Sequence, residues 1–462
     1  MAKKKPFNQV LLIGLIIMMV VCGTINSCGQ KIMMKMESLG DKFERHKFVI
    51  CLLMFIGESF SLSVYFIKYY KKKNKNINEN LNENSNENSN ENEIENTNEN
   101  ANSGTVTQQE KKLLSGKYNE EEDEEIEEDE DKNKVEAPFY IFAITAFCDL
   151  VASTLGTFAL IFLATSIYQI FRALELMFVL FFSKLFLKNP IYRHHVLGIG
   201  TLIVGLFLVG LSSILYQGQA STHPVRGILI LCFSQIVSAT QYTLQEYFIK
   251  KYTFSPFKLV GFEGFFGISY YSILLTIFQH INCKNWGGLK EVCYEKSDGS
   301  ILLENTIFAL KQIFNKMSLL ALVLIYITSI ALYNIIGINL TKLVSSTARA
   351  IVDTTRTFLI WIVFLTPFGP KEAREHFNFL QLTGFILTVL GMIIYNEIIE
   401  IKLFDLNKYT RNAIAKRENI KQQIDEIEKE KTDNNDESLF NNNSDIKPPQ
   451  DSIKSEAPPA NN

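Results

Sequence analysis

Residues 6–30, 194–225, 317–341 and 376–396 contain no Asp, Glu, Lys or Arg. Three further stretches carry a single charge each: Glu58 in 48–67, Glu246 in 227–249 and Glu263 in 259–283. A helix crosses the hydrocarbon core of a bilayer in about 20 residues. Runs of this length and number belong in a membrane. Whole-chain averages hide this, with 47% hydrophobic and 21% charged residues among 462. Residues 71–136 hold 9 basic and 20 acidic side chains, and residues 402–462 hold 10 and 12. What remains, 1–70 with 137–401, is strongly apolar and carries 27 basic against 17 acidic residues. A soluble enzyme built on one hydrophobic core is excluded.

Two apolar stretches are too long for one crossing. Residues 137–187 divide at Ala164-Thr165-Ser166, and 317–370 divide between Thr341 and Ser346. Ser and Thr at such corners cap the next helix by accepting its free N–H groups. The expected spans are 7–30, 48–68, 138–163, 166–187, 194–215, 226–248, 256–279, 318–340, 346–367 and 377–398. A cleaved signal peptide is the alternative for the first, because Lys3, Lys4 and Lys5 precede it. A 25-residue uncharged run is long for that role. Lys and Arg near the membrane mark the cytosolic side. Lys3–Lys5, Lys71–Lys75, Lys188, Arg193, Lys250, Lys251, Lys258, Lys342, Lys402, Lys408 and Arg411 share one side of this arrangement. Both termini and residues 71–136 are therefore expected in the cytosol, and 280–317 on the opposite side.

The organisation expected is two spans in 1–70, a loop over 71–136, eight spans in 137–401 and a tail over 402–462. Asn recurs at the even positions from Asn74 to Asn102, Ile94 excepted, and Glu120–Asp131 is acidic at 11 of 12 positions. Neither pattern buries a core, so the loop reads as disordered. It is either a solvated linker or a tail that binds protein partners. The tail begins with a helical pattern, basic from Lys402 to Lys421, and ends Asn- and Pro-rich. That basic part suits either anionic lipid or plain solvent. Of seven cysteines, Cys22, Cys28, Cys51, Cys148 and Cys232 fall in spans, where a thiol acts as a small apolar group. Cys283 and Cys293 lie in the non-cytosolic loop and form a disulfide candidate.

The halves of the chain resemble each other. A corner, Leu163-Ala-Thr-Ser166, precedes a span with Arg172. A second corner, Leu343-Val-Ser-Ser346, precedes a span with Arg349, Asp353 and Arg356. Gly198 and Gly205 are matched by Gly384 and Gly391, with the same spacing. Five spans per half would insert the second half upside down, an arrangement that in transporters places the substrate near the midplane. Gly261, Gly264 and Gly267 recur every three residues, a face for close helix packing.

Charges inside spans cost about 2.5–3.5 kcal/mol on insertion scales, so they face a cavity or a partner. Glu58, Asp149 and Glu263 have no cation on their own helix and suit a cavity, including carriage of a proton. Arg349, Asp353 and Arg356 share a helix face. They form either an ion-pair ladder or part of a substrate site, and Arg172 with Glu175 poses the same choice. Glu246 and Arg356 lie nearer the ends, where long side chains snorkel. No nucleophile elbow, Walker loop, zincin motif or Rossmann glycine pattern is present. The chain is not read as an enzyme, and no cofactor, metal or catalytic residue is expected.

Several blocks resemble a known family. Ile25-Asn-Ser-Cys28, Phe55-Ile-Gly-Glu-Ser59, Ala146-Phe-Cys-Asp-Leu150, Tyr168-Gln-Ile-Phe-Arg172, Ser234-Gln-Ile-Val237, Gln241-Tyr-Thr-Leu-Gln-Glu246 and Gly261-Phe-Glu-Gly264 carry it. The most specific block is Tyr333-Asn-Ile-Ile-Gly-Ile-Asn-Leu-Thr-Lys342, running into Ser345-Ser-Thr-Ala-Arg349 and Asp353-Thr-Thr-Arg356-Thr-Phe-Leu-Ile-Trp361. Together they resemble the F-type, nucleotide-sugar-transporter-like members of solute carrier family 35, in the drug/metabolite transporter superfamily. The resemblance covers nearly all of 8–400, but not 71–136 or the tail, and Glu175 departs from it.

What the resemblance implies agrees with the span count: an all-α membrane protein of ten transmembrane helices, in two inverted five-helix repeats around a cavity. The expected activity is secondary transport of a small organic metabolite, a nucleotide sugar or another anionic solute, by exchange or gradient coupling. The expected membrane is the lysosome, vacuole or Golgi. Arginines in two spans suit phosphate. The carboxylates suit the other superfamily cargoes, namely amino acids, peptides or organic cations. The substrate-binding candidates are Arg172, Asp353, Arg349, Gln169, Glu58, Asp149 and Glu263. Arg172 and Asp353 lie about 9 and 10 Å into their helices at 1.5 Å per residue. Arg349 is shallower and suits a gate. The partners are a small-molecule substrate, membrane lipid and proteins that bind the acidic loop. The reading admits a homodimer and includes no nucleic acid. A non-transporting scaffold is the competing class, against which charges in several different spans argue.

Overall fold

The computed structural model describes residues 9–90, 135–163, 168, 171–172, 174–217, 224–283, 293–295, 301–366, 377–399, 409–414, 416–417, 420–421 and 424. Helices dominate it. In chain order they are α1 (Gln9–Lys35), α2 (Lys47–Asn90), α3 (Tyr140–Phe162), α4 (Leu174–Phe186), α5 (Arg193–Gln217), α6 (Pro224–Lys251), α7 (Pro256–Phe278), α8 (Thr306–Asn315), α9 (Met317–Leu343), α10 (Ser346–Leu365) and α11 (Phe379–Tyr395). Two-residue strands form three small pairs: β1 (Glu37–Ser38) with β2 (Asp41–Lys42), β3 (Val135–Glu136) with β4 (Tyr252–Thr253), and β5 (Tyr294–Glu295) with β6 (Ile301–Leu302).

Among the described residues, seven helices are long and apolar enough to cross a membrane: α1, the first part of α2, α3, α5, α6, α7 and α9. The protein is a multi-pass membrane protein. Helix α11 has 17 residues, and α10 has 20 and carries three charges. The described part of α4 has 13. Each lies within an expected span. Burial supports a lipid setting, since Phe207, Ile273 and Leu229 project outward while the helices bury their small and polar residues. Helix α2 runs to Asn90, past the end expected at 68 and into the stretch read as disordered. Residues 91–134 lie outside the described residues, as do Ala164–Ser166.

The Ser cap expected at the corner before Ser346 is present, and a second stands before α7. Ser345 accepts from Ala348 N–H at 3.1 Å and opens α10. Ser255 accepts from Lys258 N–H at 3.2 Å ahead of Pro256 in α7. Proline suits the first turn because its missing N–H would have no partner there.

Glycine governs the closest helix contacts. Helices α5 and α11 pack along Gly198 with Gly391 and Gly205 with Gly384. A Cβ on Gly391 would stand 2.6 Å from Gly198 O, and one on Gly205 would stand 2.6 Å from Gly384 O. Helix α7 lays its glycine face on α2, where a Cβ on Gly264 would stand 2.7 Å from Phe55 O. Such approach gains dispersion contacts that bulkier side chains prevent.

A cap closes the end where α1 meets α2 and α7 leads to α9. It contains β1–β2, β5–β6 and α8. Cys283 and Cys293 are disulfide-bonded there, with their Cα atoms 6.4 Å apart. His46 Nδ1 lies 2.6 Å from Glu304 Oε1, both side chains fully buried. The rings of Phe43, Tyr294 and Phe308 surround this pair.

The body just described is one compact unit, Gln9–Ile399; Met1–Asn8 with Glu400–Asn462 form a second. In the second, a helical turn starts at Arg411, and Arg417 lies over the Tyr409 ring, 5.6 Å from its centroid.

Candidate functional site

The charged residues of the spans gather into two buried networks. The first is centred on Arg349, 3% exposed on α10. Its Nη1 donates to Gln245 Oε1 of α6 at 2.8 Å, and its Nη2 donates to Asn334 Oδ1 of α9 at 3.3 Å. Each amide passes the contact on. Gln245 Nε2 donates to Glu263 Oε1 of α7 at 2.7 Å, and Asn334 Nδ2 donates to Glu58 Oε1 of α2 at 2.6 Å. One guanidinium thus reaches two carboxylates through two neutral relays, and all five groups come from different helices. Its flat face covers the Tyr242 ring, with Cζ 4.3 Å from the centroid. Asp149 of α3 joins the edge of this network beside Gln241. Buried charges survive only when paired or hydrogen-bonded; this chain gives each charged group at least one bond, while Glu58 Oε2 and Arg349 Nε are buried without a hydrogen-bond partner among the described residues.

The second network is centred on Asp353, one turn further along α10. Its Oδ1 pairs with Arg356 Nη1 at 3.0 Å, and its Oδ2 lies 3.5 Å from Arg172 Nη2. The Tyr333 hydroxyl of α9 donates to the same carboxylate. Arg356 Cζ lies 5.0 Å above the Tyr333 ring. Arg356 is therefore buried and paired, not snorkelling. Arg172 differs from its neighbours. It keeps 40% of its side chain exposed, against 10% for Asp353. Two residues beyond it begins α4, where Glu175 accepts from the Ser238 hydroxyl of α6 at 2.5 Å.

Arg349 and Asp353 share a helix face, yet Arg349 bonds to Gln245 and Asn334 while Asp353 pairs with Arg356 and Arg172. The structure brings together Arg349, Glu58, Glu263 and Asp149, and separately Arg172 with Asp353. Gln169 lies outside the described residues. The sequence reading passed over Tyr242, Gln245 and Tyr333 as site residues. Ser238, Gln241, Tyr242 and Gln245 form a polar stripe at helical spacing along α6, and that stripe was the available signal.

Three metal-capable side chains also meet, at the start of α5 and just past α11. His194 Nε2 lies 3.0 Å and His195 Nε2 lies 3.8 Å from Glu397 Oε1, all three ligand atoms falling within 4.8 Å of one another. Tyr192 N–H donates to His195 Nδ1 at 3.3 Å. The neutral ring then carries its proton on Nε2, the atom that faces Glu397. The trio is better described as a hydrogen bond between His194 and the Glu397 carboxylate, with the His195 Nε2 edge turned toward the same oxygen, than as an ion's ligand set.

A helical multi-pass body whose spans bury linked charges is the architecture of a membrane transporter. The comparisons name the group. Residues 125–395 match the model of the CRT-like, chloroquine-resistance transporter-like, family, and the chain belongs to that family. Solute carrier family 35 member F6 of Rattus norvegicus is 32% identical over 260 residues, which are 55% of this chain and 66% of that protein. The Homo sapiens member of the same name is 31% identical over 259 residues, with the same coverage. An uncharacterized protein of Schizosaccharomyces pombe is 29% identical over 265 residues, 56% of this chain and 75% of that one. The aligned part of this chain thus spans just under two thirds of the length of its solute carrier relatives. The F-type resemblance seen in the sequence is the relationship these matches describe.

Proposed function

We propose that the chain is a secondary transporter that moves a small organic solute across an endomembrane by exchange or gradient coupling. The carrying observation is the convergence of Arg172, Glu58 and Glu263 from three separate parts of the chain on Arg349 and Asp353 of α10, in two neighbouring polar networks within the spans. A scaffold gains nothing from burying such groups, whose insertion cost is a few kcal/mol each. A transporter uses them to replace the hydration of a polar cargo.

In this reading ten spans form two inverted halves, with α4 and α10 as equivalent elements and both termini in the cytosol. The solute site is lined by Arg172, Asp353, Arg349, Glu58, Asp149, Gln169 and Glu263. The half-exposed guanidinium of Arg172 faces an anionic group of the solute, since an arginine fork matches carboxylate or phosphate in two parallel hydrogen bonds. The carboxylates of the Arg349 network suit a coupled proton. Uptake into liposomes containing purified protein, with a panel of nucleotide sugars, other organic anions, amino acids, peptides and organic cations, tests this. Uptake or exchange of an anionic solute supports it. Uptake of cations alone reverses the substrate class. No movement of any solute returns the scaffold.

A further inference from the structure

Glu246 belongs to neither network. It lies on α6 little more than a turn from the helix end and is 1% exposed. The expectation that it snorkels to the membrane edge is not met. Its two oxygens serve two different elements. Oε2 accepts the backbone N–H of Ser346 at 2.7 Å and the Ser346 hydroxyl at 2.5 Å. Oε1 accepts from Asn189 Nδ2 at 2.8 Å and from Lys250 Nζ at 2.7 Å. Lys250 also donates to Asn189 Oδ1 at 2.8 Å, and Asn189 Nδ2 reaches back to Ser183 Oγ of α4 at 2.7 Å. Lys188, just before Asn189, has φ 54°. That left-handed turn folds the chain back under the end of α4.

One carboxylate therefore ties the end of α4 to the start of α10. Ser345 already caps α10 through Ala348 N–H, and Glu246 takes a further free N–H at the positive end of that helix. Arg172, two residues before α4, also meets Asp353 of α10. A contact needed only for stability would be served by apolar packing, because a buried carboxylate is costly once any partner leaves. A charged, hydrogen-bonded tie has another property: entering water can replace each partner, so the tie can release and re-form.

We propose that Glu246 is a positioning residue for the solute site, acting as a releasable latch between the end of α4 and the start of α10. Latched, it fixes the spacing at which Arg172 reaches Asp353. Released, it lets the two elements part at the end opposite the disulfide-bonded cap. The latch rests on the transport reading for its purpose, and on this geometry for its existence.

Hydrogen exchange read by mass spectrometry on the full-length protein tests it without any substrate. In Glu246→Gln, an amide donor faces donors that formerly met a carboxylate. Amides in both 183–190 and 346–350 should exchange about tenfold faster, the scale expected for losing a charged hydrogen bond. Amides in 384–391, within the α5–α11 seam, should be unchanged. Asn189→Ala cuts only the α4 arm, yet should also speed exchange at 346–350, because the two arms share one carboxylate. Unchanged exchange at either tied segment overturns the latch. So does a rise of equal size at the seam, which would make Glu246 merely structural. If the Gln variant fails to fold, the Asn189→Ala result at 346–350 decides alone. A chain that moves no solute but shows the coupled exchange keeps the latch and loses the transport reading.

Discussion

The Arg172 guanidinium stands 3.5 Å from the Asp353 carboxylate, although the two residues belong to opposite halves of the chain. Asp353 has a nearer partner in Arg356, at 3.0 Å on its own helix, and a hydrogen bond from Tyr333. Arg172 is therefore the member of the cluster that Asp353 can release at least cost, and also the more exposed one. That asymmetry is what a site needs if an incoming anion is to take over one guanidinium while the carboxylate keeps another.

The Arg349 network predicts a stability effect independent of transport. Arg349→Gln removes the charge between Gln245 and Asn334 and leaves Glu58 and Glu263 without the cation their relays reach. Breaking a buried charge from its partners costs about 3–5 kcal/mol, so the thermal midpoint of the purified protein should fall markedly. Arg349→Lys should recover only part of it, since an ammonium lacks the planar fork that spans two amides. Thermal unfolding followed by intrinsic fluorescence reads both. An unshifted midpoint in Arg349→Gln would show that the network carries no structural weight.

The glycine seam makes a sharper comparison. A Cβ at Gly205 would meet Gly384 O at 2.6 Å, whereas Gly200 has nothing within 4 Å of the same position. Gly205→Val should cost at least the 1–3 kcal/mol typical of overpacking, because the obstacle is backbone. Gly200→Ala should be neutral or gain a few tenths to about 1 kcal/mol from helix propensity. The monodisperse fraction after detergent extraction ranks them. Equal behaviour of the two variants would deny the close approach of α5 and α11.

Much of this architecture was legible in the sequence because a bilayer leaves the backbone few options. Unpaired peptide groups are not tolerated in hydrocarbon, so uncharged runs of the right length have to be helices. The seventh expected span, 256–279, became α7 at Pro256–Phe278. Helix α8 stayed hidden because Thr306–Asn315, though amphipathic, has only ten residues and is too short to read as a span. The extension of α2 to Asn90 was also illegible: its Asn, Glu and Lys show no apolar stripe. Among site residues, burial cost singled out Arg172, Arg349 and Asp353. It did not say that Arg349 would turn from Asp353 toward Gln245, because the choice between partners on one helix and on another lies in tertiary packing.

The cap supplies a covalent check. Cys283 and Cys293 are joined, closing a loop of sequence separation 10, and removing such a bridge typically costs about 2–4 kcal/mol. Alkylation in denaturant before reduction, followed by mass spectrometry, should leave both unlabelled while the five free cysteines react. Cys283→Ser should lower the thermal midpoint. Labelling of both cysteines in the native protein would contradict the bond.

The orientation expected from the basic residues near the membrane is testable. Protease added to sealed vesicles should cut the acidic stretch at Glu120–Asp131 and spare the cap that contains Cys283 and Glu304. Cleavage in the cap with protection of the acidic stretch would invert the orientation.

The central claim is that the Arg172–Asp353 pair belongs to a solute pathway and not only to the packing of the helices. Exchange of labelled solute in liposomes, run side by side on the native protein, Arg172→Gln and Asp353→Asn, tests it most directly. The account predicts exchange by the native protein and its loss in both variants, by at least about tenfold as expected when a charged contact of roughly 1.5–3 kcal/mol is removed, with yield and thermal midpoint near native for Arg172→Gln. Native-rate exchange in either variant, or loss that merely follows a collapse in folded protein, would contradict it.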